Sequence, residues 1–463
     1  MNIPMNLPND HHNVSIQASG DEGFGPGEQK WGYVDVRPGA HMFWWLYYTT
    51  NANVSNYYDK PLLIWLQGGP GVSSGIGNFL EFGPIDIHQK PRNHTWVKDY
   101  NILFIDNPVG TGFSYVDHER DLTRTNTEIS RDLMQFIREF MAKFPEFLRV
   151  PTYITSQSYG GKMAIEWAFE WYKAEQARDL HSNLTGVFLG NPWISPNDSV
   201  MTWAPYLFHT GMIDKDTFKE IEALAEIVKE SVNDGAWLLS WILEQYMQNI
   251  IHEVTHGINF YNILTKIRIK AKREFKKLNF EARKNYSELY NQVKNQFKGN
   301  SLKIGHDAVA LPASGDFDDD DTVLKILMNN EVKKALNISR HWDISNEDVS
   351  NALAGDFMKP VTHIVEELLN KTNLRIVIYS GQLDLVVDTP GTVEWVQRLN
   401  WKYAKEWDRS IRYPLVINGT IEGFYKSHKN LDFYWVNRAG HDVPKDNPVA
   451  MAAILERGTK GQF

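Results

Sequence analysis

The sequence predicts an α/β fold with a mostly parallel central sheet flanked by helices. Six strand-length apolar runs are rich in β-branched or aromatic residues and are bounded by Gly, Pro, Asn or Asp. Strands that are apolar on both faces are expected inside a parallel sheet that helices cover. Because helical patterns separate most of these runs, the architecture is expected to be doubly wound. The six runs are "PLLIWLQ", "NILFIDN", "PTYITSQ", "LTGVFLGN", "LRIVIYSG" and "LDFYWVN".

Two earlier runs, "WGYVDV" and "HMFWWLYYT", predict antiparallel strands at one edge of the sheet. A first helix is predicted where six apolar residues recur on one stripe. Its stripe consists of Leu133, Phe136, Ile137, Phe140, Met141 and Phe144. A second helix is predicted over residues 161–172, directly after the third apolar run.

The alternation of strands and helices stops between residues 196 and 311, where the pattern is mostly helical. We therefore expect a helical cap insertion at 196–311, between the parts of one α/β body at 1–195 and 312–463. The insertion holds a basic stretch, residues 266–298, with eleven Lys or Arg against three Glu. This stretch is either a solvated helix face or a mobile, protease-sensitive part of the cap.

An acidic run, "GDFDDDD", occupies residues 315–321. It lacks the glycine and the distal glutamate that a calcium-binding loop needs. Acidic groups favour a helix N-terminus. The run is therefore interpreted as a charged lead-in to a helix that begins near Thr322.

Composition excludes several classes of function. The chain has 463 residues, 42% of them hydrophobic, and a net charge of −9, which argues against nucleic acid as a partner. No apolar run is long enough to predict a membrane span. The absence of cysteine excludes disulfides, thiolate catalysis and cysteine-ligated metals.

The chain carries nine Asn-x-Ser/Thr sequons, whereas about three or four are expected by chance. This density favours a protein of the secretory route, although the first residues lack the basic and then apolar pattern of a signal peptide. Accidental sequons in an Asn-rich chain are the alternative. The sequons begin at Asn13, Asn53, Asn93, Asn183, Asn197, Asn285, Asn337, Asn370 and Asn418.

A sharp corner follows the third apolar run. In "YITSQSYGGK", Ser158 stands between Gln157 and Tyr159, with two glycines behind them. A serine on a strand-to-helix turn is the nucleophile elbow of α/β-hydrolases, where small flanking residues let the backbones pass closely. Ser156 occupies the position where the first glycine is usual. The strand before the corner and the helix after it still predict Ser158 as a nucleophile.

A nucleophilic serine of this fold needs an acid and then a histidine later in the chain. The loop after the fifth run, "GQLDLVVDTPG", offers Asp384 and Asp388. Asp388 directly precedes Thr389 and Pro390, so a helix N-cap explains it, and Asp384 is the better acid. His441, in the loop "AGHDVP" after the last run, is the candidate base.

The reaction also requires donors for the oxygen on which negative charge develops. The loop "LQGGPGVSS" after the first run offers the backbone N–H groups of Gly68 and Gly69, and Tyr159 offers its own. A glycine-rich loop could instead hold phosphate, but this one lacks the Lys-Ser or Lys-Thr ending of such loops.

Six stretches in this order resemble the signatures of serine carboxypeptidases. They are "PLLIWLQGGPGVSSGIGNFLEFGP", "DNPVGTGFSY", "SQSYGGK", "GNPWISP", "GQLDLVVDTPG" and "AGHDVP". Two more, "WGYVDVRPGAHMFWWLYYTTN" and "GINFYNILTK", are similar to the retinoid-inducible branch of that family. The resemblance runs from residue 31 to the C-terminal region and is weakest through the basic stretch.

The resemblance implies roles for particular residues. Ser158 is the nucleophile, His441 the base and Asp384 the acid that orients it. Gly69 and Tyr159 supply the oxyanion donors. The groups expected to hold the terminal carboxylate of the substrate are Gln67, the backbone of Gly68, Glu81 and Gln157.

The resemblance also implies a peptide C-terminus as substrate, a secretory or lysosomal location, glycosylation, and no metal or organic cofactor. Four positions depart from the family pattern. Val72 stands where members usually have cysteine, Gln67 replaces asparagine, Gln157 replaces glutamate and Asp442 replaces methionine. Asp442 falls in the pocket for the leaving residue, where a carboxylate favours a basic C-terminal side chain.

Two other functions stay open at this point. The altered carboxylate site is compatible with a non-catalytic, carboxypeptidase-like binding or protective protein. The same fold is compatible with an esterase or acyltransferase that acts on a small ester. The intact set of Ser158, Asp384 and His441 favours a serine carboxypeptidase.

Overall fold

The computed structural model describes residues 23–265 and 319–460. These residues form an 11-stranded sheet whose main path follows the order β1-β2-β4-β3-β6-β7-β8-β11-β10-β9, with β5 beside β2. The strands are β1 Gln29–Arg37, β2 Ala40–Tyr47, β3 Leu62–Leu66, β4 Asn101–Ile105, β5 Tyr115–Val116, β6 Thr152–Gln157, β7 Leu184–Gly190, β8 Arg375–Gly381, β9 Tyr413–Ile417, β10 Thr420–His428 and β11 Leu431–Val436.

The six apolar runs form the parallel centre of the sheet, as predicted. Within this centre, each strand pairs in parallel with the next one in the order β4, β3, β6, β7, β8 and β11. The two opening runs are β1 and β2, which pair antiparallel at one edge. The carboxyl ends of the parallel strands therefore meet along one rim, where the loops carrying the candidate site residues begin.

The strands β9 and β10 were not predicted from the sequence. They pair antiparallel with each other, and β10 pairs antiparallel with β11, so they close the opposite edge of the sheet. Their residues are mostly half-buried or exposed, and β9 contains Pro414. A half-exposed edge strand needs no continuous apolar run, so the pattern used for the buried strands does not detect it.

Helices cover the sheet. They are α1 Asn126–Lys143, α2 Gly160–Gln176, α3 Pro196–His209, α4 Lys215–Asn233, α5 Trp237–Val254, α6 Asp319–Leu327, α7 Lys333–Ala335, α8 Glu347–Ala352, α9 Ala354–Phe357, α10 Thr362–Lys371, α11 Thr389–Gln397, α12 Ala404–Arg409, α13 Val443–Asp446 and α14 Pro448–Lys460. Both helices predicted around the third strand run are confirmed as α1 and α2. Thr125 caps α1 by accepting a hydrogen bond from the backbone of Glu128 at 3.2 Å.

The described part of the predicted insertion is helical, as expected. Helix α3 packs against α4 and α11, and α5 packs against α4 and α9. The basic stretch at 266–298 lies outside the described residues, so its mobility and protease sensitivity stay predictions. The predicted division into a body and a cap also stays a prediction. The helix expected near Thr322 is α6, whose described residues begin at Asp319.

The core has two layers, one on each face of the sheet. Strand β3 illustrates this because its side chains alternate between the layers. Leu62, Ile64 and Leu66 join one buried cluster, whereas Leu63 and Trp65 join the other. Alternation along a strand sends successive side chains to opposite faces. A strand covered on both faces must therefore be apolar throughout, which is the pattern that predicted it.

The loop around Val72 is held without a disulfide. Val72 forms an antiparallel bridge with Ser345. On either side of it, the Ser73 N–H donates to the Ile344 carbonyl and the Asn346 N–H donates to the Gly71 carbonyl, both at 2.9 Å. Backbone hydrogen bonds therefore fasten this loop to the segment at residues 344–346.

Candidate active site

Ser158 lies on the corner between β6 and α2. Its backbone adopts a φ of +59°, a conformation that non-glycine residues rarely take and that is common at functional sites. Gly160 permits this corner because it has no side chain. A Cβ atom at this position would lie only 2.5 Å from the carbonyl oxygen of Leu66 and would clash with it. The Ser158 N–H donates to the Gly190 carbonyl at 3.0 Å. Its side chain is partly exposed, so the hydroxyl is presented at the rim of the sheet.

His441 and Asp384 meet at the same rim. Asp384 follows β8 and His441 follows β11, and Nδ1 of the histidine lies 2.7 Å from Oδ2 of the aspartate. The other oxygen of Asp384 accepts a hydrogen bond from the Val387 N–H at 3.2 Å. Both side chains are buried, at 3% and 0% exposure. The structure therefore brings the two residues together in the predicted order.

Burial and mutual attraction act in opposite directions on the two members of this pair. Burial raises the pKa of Asp384, and the neighbouring His441 opposes that rise. Burial lowers the pKa of His441, but the charge and hydrogen bond of Asp384 outweigh it, so the pKa is raised above its ordinary value. An imidazole with this partner is able to accept a proton and hold it while the carboxylate balances the charge.

Asp388 has the structural place that the sequence suggested. It caps α11 by accepting a hydrogen bond from the Gly391 N–H at 3.3 Å. The Thr202 hydroxyl donates to the same carboxyl at 2.7 Å. Burial raises the pKa of Asp388 well above its ordinary value. Its contacts are therefore those of an N-cap buried between α3 and α11.

The glycine-rich loop lies directly against the nucleophile corner. A Cβ atom on Gly68 would lie 2.6 Å from the Cβ of Ser158 and 3.1 Å from the backbone nitrogen of Tyr159. Gly69 follows with a φ of +108°. Only a residue without a side chain permits this close approach. The backbone of Gly68, Gly69 and Tyr159 thus converges next to Ser158.

A buried carboxyl supports the glycine-rich loop. Asp106 accepts hydrogen bonds from the Ser73 hydroxyl at 2.6 Å, the Ser74 N–H at 3.0 Å and the Phe113 N–H at 2.8 Å. Burial raises the pKa of Asp106 to about 6. The contacts fix the chain just beyond the loop. Sequence reasoning quoted the motif that contains Asp106 but assigned it no role.

Gln67 and Glu81 form one half of the predicted carboxylate site. Oε1 of Gln67 accepts a hydrogen bond from the Trp65 indole at 2.7 Å, and its Nε2 donates to Oε1 of Glu81 at 3.4 Å. Burial, and then the charge of Asp442, raise the pKa of Glu81 well above its ordinary value. Glu81 is therefore protonated over a wider pH range than a free carboxyl.

Gln157, also predicted for the carboxylate site, contacts Asp442, which was predicted for the leaving-residue pocket. Nε2 of Gln157 donates to Oδ1 of Asp442 at 2.7 Å. Gln157 is 2% exposed, whereas Asp442 is partly exposed. Oε1 of Gln157 and Oε2 of Glu81 are buried and have no hydrogen-bond partner among residues 23–265 and 319–460. Of these two oxygens, only Oε2 of Glu81 can donate to a carboxylate, when Glu81 is protonated, because the amide oxygen of Gln157 is an acceptor.

The segment at Phe260 and Tyr261, after α5, contacts both the loop that carries Asp384 and the loop that carries His441. The sequence analysis assigned this segment no role in the site. The carbonyl of Phe260 accepts hydrogen bonds from the Leu385 and Val386 N–H groups, at 2.9 and 3.0 Å. The next carbonyl, of Tyr261, accepts from the His441 N–H at 2.7 Å. The Tyr261 ring packs edge-on against the His441 ring, with centroids 5.2 Å apart.

Asn191, after β7, also joins these two loops. Its Nδ2 atom donates to the carbonyls of Gly440 and His441, each at 3.1 Å, and its Oδ1 accepts from the Gly381 N–H at 2.8 Å. The motif "GNPWISP" contained the signal, because a buried asparagine at the end of a parallel strand points to the same rim as the other site residues.

Lys162 anchors the helix that follows the nucleophile. It is fully buried on α2, and its Nζ donates to the Asp356 carbonyl at 2.6 Å and lies 3.3 Å from the Asp356 carboxylate. The Tyr159 hydroxyl donates to the same carboxylate at 3.1 Å. Burial lowers the pKa of Lys162 to about 8. These contacts fix Tyr159 through its side chain, directly after Ser158.

In the described ranges, no group of three or more His, Asp or Glu is arranged to hold a metal ion. Of the helices that the structure describes, none has the length and apolarity needed to cross a membrane.

Comparison with known proteins identifies the family. A family model for serine carboxypeptidase, Peptidase_S10, matches residues 21–461. The retinoid-inducible serine carboxypeptidase of Mus musculus is 39% identical over 441 residues, which cover 94% of this chain and 92% of the relative. The human protein of the same name is 40% identical over 429 residues, covering 91% and 89%. Serine carboxypeptidase-like 51 of Arabidopsis thaliana is 36% identical, covering 94% and 92%.

The fold is shared with a solved structure. The crystal structure of Kex1(delta)p, a prohormone-processing carboxypeptidase from Saccharomyces cerevisiae, superposes with a TM-score of 0.75 at 21% identity, covering 99% of this chain and 97% of that one. The α/β-hydrolase architecture predicted from the sequence is therefore confirmed. The family match and the relatives together establish that the chain belongs to the serine carboxypeptidase family and is a peptide hydrolase.

Proposed function

We propose that the protein releases C-terminal residues from peptides through an acyl-enzyme formed on Ser158. The hydrogen bond between Asp384 and His441, beside the strained Ser158 corner, is the observation that carries this proposal. His441 takes the proton of the serine hydroxyl as the hydroxyl attacks the scissile carbonyl. It then gives that proton to the leaving amine, while Asp384 holds the imidazole in position. Water then attacks the acyl-enzyme while His441 takes a proton from it. His441 returns that proton to Ser158 as the bond to the serine oxygen breaks, and the shortened peptide is released.

The backbone N–H groups of Gly69 and Tyr159 stabilise the oxyanion. The closeness of the Gly68 backbone to Ser158 supports this assignment, because the donors must point at the position that the oxygen reaches in the transition state. Donors fixed on the backbone need no reorganisation during the reaction. Asp106 and Lys162 hold the two chain segments that carry these donors.

The terminal carboxylate of the substrate binds to Gln67, the Gly68 N–H, Glu81 and Gln157. The unpartnered Oε2 atom of Glu81 supports this assignment. A protonated Glu81 donates a hydrogen bond to the carboxylate, and Gln157 donates from its amide at any pH. The raised pKa of Glu81 supports this state. Asp442 lines the pocket for the leaving residue.

The protein follows the secretory route to a secreted or lysosomal destination and carries N-linked glycans. In the described residues, six sequon asparagines are exposed, as an acceptor must be. They are Asn53, Asn93, Asn183, Asn337, Asn370 and Asn418. Asn197 differs because it is only partly exposed at the start of α3, with a buried Oδ1. Glycopeptide mapping is expected to find glycans among the six and none at Asn197; a fully unmodified chain from a secreting host would contradict the proposal.

The decisive experiment is the hydrolysis of a blocked dipeptide by the wild type and by Ser158→Ala. The alanine variant is expected to lose about a millionfold in turnover while it still folds, because removing one member of a triad costs about as much as removing all of it. Ser156→Ala, two residues earlier on the same strand, is the matched control.

The same assay separates the alternatives. A fluorophosphonate probe labels Ser158 only in an active hydrolase, so an unlabelled wild type would indicate a binding or protective protein. A matched substrate with an amidated C-terminus tests the exopeptidase assignment. Equal hydrolysis of the free and amidated forms would contradict the exopeptidase assignment, and hydrolysis of a small ester with none of either peptide would favour an esterase.

A further inference from the structure

Asp442 already occupies a donor that the proposed function gives to the substrate. Its Oδ1 atom lies 2.7 Å from Nε2 of Gln157, at the distance of a charge-assisted hydrogen bond. The contact joins the residue before Ser158 to the residue after His441. A carboxylate of the protein itself is therefore bound where a carboxylate of the substrate is expected.

The contact between Gln157 and Asp442 lies beside Glu81, the other group assigned to the substrate carboxylate. Gln157 is 2% exposed, so few groups other than Asp442 are able to reach its amide. The charge of Asp442 acts on the pKa of Glu81. Lys445 and Arg92 oppose that effect on Glu81 with their positive charges. Asp442 is thus near both carboxylate-binding groups, in a pocket that keeps two buried oxygens unpartnered among the described residues.

We propose that Asp442 is an internal competitor for the terminal carboxylate of the substrate, and that a Lys or Arg at the substrate C-terminus relieves this competition. The inference rests on the proposed function, in which Gln157 binds that carboxylate. A substrate with an apolar last residue must share the Gln157 amide with Asp442 or displace it, and in both cases its carboxylate lies near the charge of Asp442. A substrate with a basic last residue offers Asp442 a cation instead, which frees the amide of Gln157.

The expected consequence is a lower affinity for apolar C-termini. When the binding-competent form is only a fraction of the enzyme, the apparent dissociation constant rises by the inverse of that fraction. Asp442 is partly exposed, so its side chain has room to turn toward a substrate cation. The contact is made before the chemical step and affects bound substrate and transition state alike, so the effect falls on KM more than on kcat.

The test measures kcat and KM for three blocked dipeptides that differ only at the end: C-terminal Leu, C-terminal Arg and C-terminal Leu-amide. The enzymes are the wild type, Asp442→Met and Asp442→Asn. We expect Asp442→Met to lower the KM for C-terminal Leu about tenfold, since a hydrogen bond to a charged group is removed. The KM for C-terminal Arg is expected to stay the same or to rise. Asp442→Asn keeps the shape of the side chain if the methionine variant does not fold.

A double-mutant cycle with Gln157→Ala separates competition from simple repulsion. If Asp442 competes through Gln157, removing Asp442 in the Gln157→Ala background has little further effect on KM for C-terminal Leu. If Asp442 only repels the substrate, the fall in KM is the same in both backgrounds, and the inference is overturned.

The amide substrate distinguishes failure of this inference from failure of the proposed function. Preference for Leu over Leu-amide, together with an unchanged KM for Leu in both Asp442 variants, overturns the competition alone. Wild-type enzyme that hydrolyses Leu-amide as readily as Leu has no carboxylate subsite, and this result overturns both.

Discussion

The residues proposed for catalysis and those proposed to bind the substrate carboxylate are neighbours, but their polar atoms are partnered to different extents. Both carboxyl oxygens of Asp384 accept hydrogen bonds, and Nδ1 of His441 is paired with one of them. In the carboxylate site, one buried oxygen of Glu81 and one of Gln157 have no partner in the described part of the chain. An unpaired buried polar group costs about 1–3 kcal/mol. The Asp384–His441 pair is therefore held by contacts within the described residues, whereas the second region keeps buried oxygens that those residues do not pair.

The difference teaches where sequence change is tolerated. The triad residues are fixed by several loops, because Asn191 and the segment at Phe260 and Tyr261 contact the loops that carry Asp384 and His441. Changing one of these residues leaves several partners unsatisfied. Gln157 and Asp442 contact each other through one hydrogen bond, and Oε1 of Gln157 has no partner among the described residues. Chemistry is therefore expected to resemble that of the relatives more closely than specificity does.

After the loss expected for Ser158→Ala, the largest effect is expected from the acid of the proposed triad. Asp384→Asn is expected to reduce kcat about 10⁴-fold, because an amide favours the wrong tautomer of His441. Asp388→Asn is the matched control, since this aspartate is equally buried four residues later. It is expected to lower the melting temperature and to change kcat little. If the two variants lost equal turnover, the assignment of Asp384 as the acid would be wrong.

A smaller effect is expected from Lys162, a positioning residue for the oxyanion donor Tyr159. Lys162→Met is expected to reduce kcat about 100-fold with KM unchanged, because displacement of one donor mainly weakens transition-state binding. Lys173→Met, on the exposed side of the same helix, is the control. The double variant Lys162→Met/Asp356→Asn avoids leaving a buried carboxylate alone if the single variant is unstable.

A purely structural role for Lys162 would give a different result. Such a role predicts a lower melting temperature with normal kcat in the molecules that remain folded. Active-site titration with a fluorophosphonate counts those molecules, so kcat per active site decides between the two roles.

The smallest effect concerns the pH dependence of KM. The raised pKa of Glu81 keeps this carboxyl protonated at acidic pH, and its ionisation as pH rises places a charge against the substrate carboxylate. KM is therefore expected to rise toward neutral pH. Gln157→Glu adds a second ionising carboxyl, so its KM is expected to rise more steeply, reaching about tenfold above the wild type. Superimposable KM-against-pH curves for the two enzymes would show that Gln157 does not contact the substrate carboxylate.

Local patterns in the sequence determined the parallel centre of the sheet and the nucleophile corner. A strand covered on both faces must be apolar throughout, so its pattern is visible without knowledge of its neighbours. The corner was recognisable because Ser158, Gly160 and Gly161 are adjacent in sequence. The order of Ser158, Asp384 and His441 then placed all three at the same rim, since the carboxyl ends of parallel strands share one edge.

Only the tertiary structure decided which distant side chains contact one another. Gln157 and Asp442 are far apart in the chain, and no periodicity links them. The sequence therefore left Gln157 free to donate to a substrate, whereas the structure shows its amide bound to Asp442. The edge strands β9 and β10, the buried Lys162 and the carbonyl of Tyr261 on the His441 backbone escaped prediction for the same reason. Half-buried strands and long-range hydrogen bonds depend on what the fold packs beside them, and a single sequence does not encode that as a local pattern.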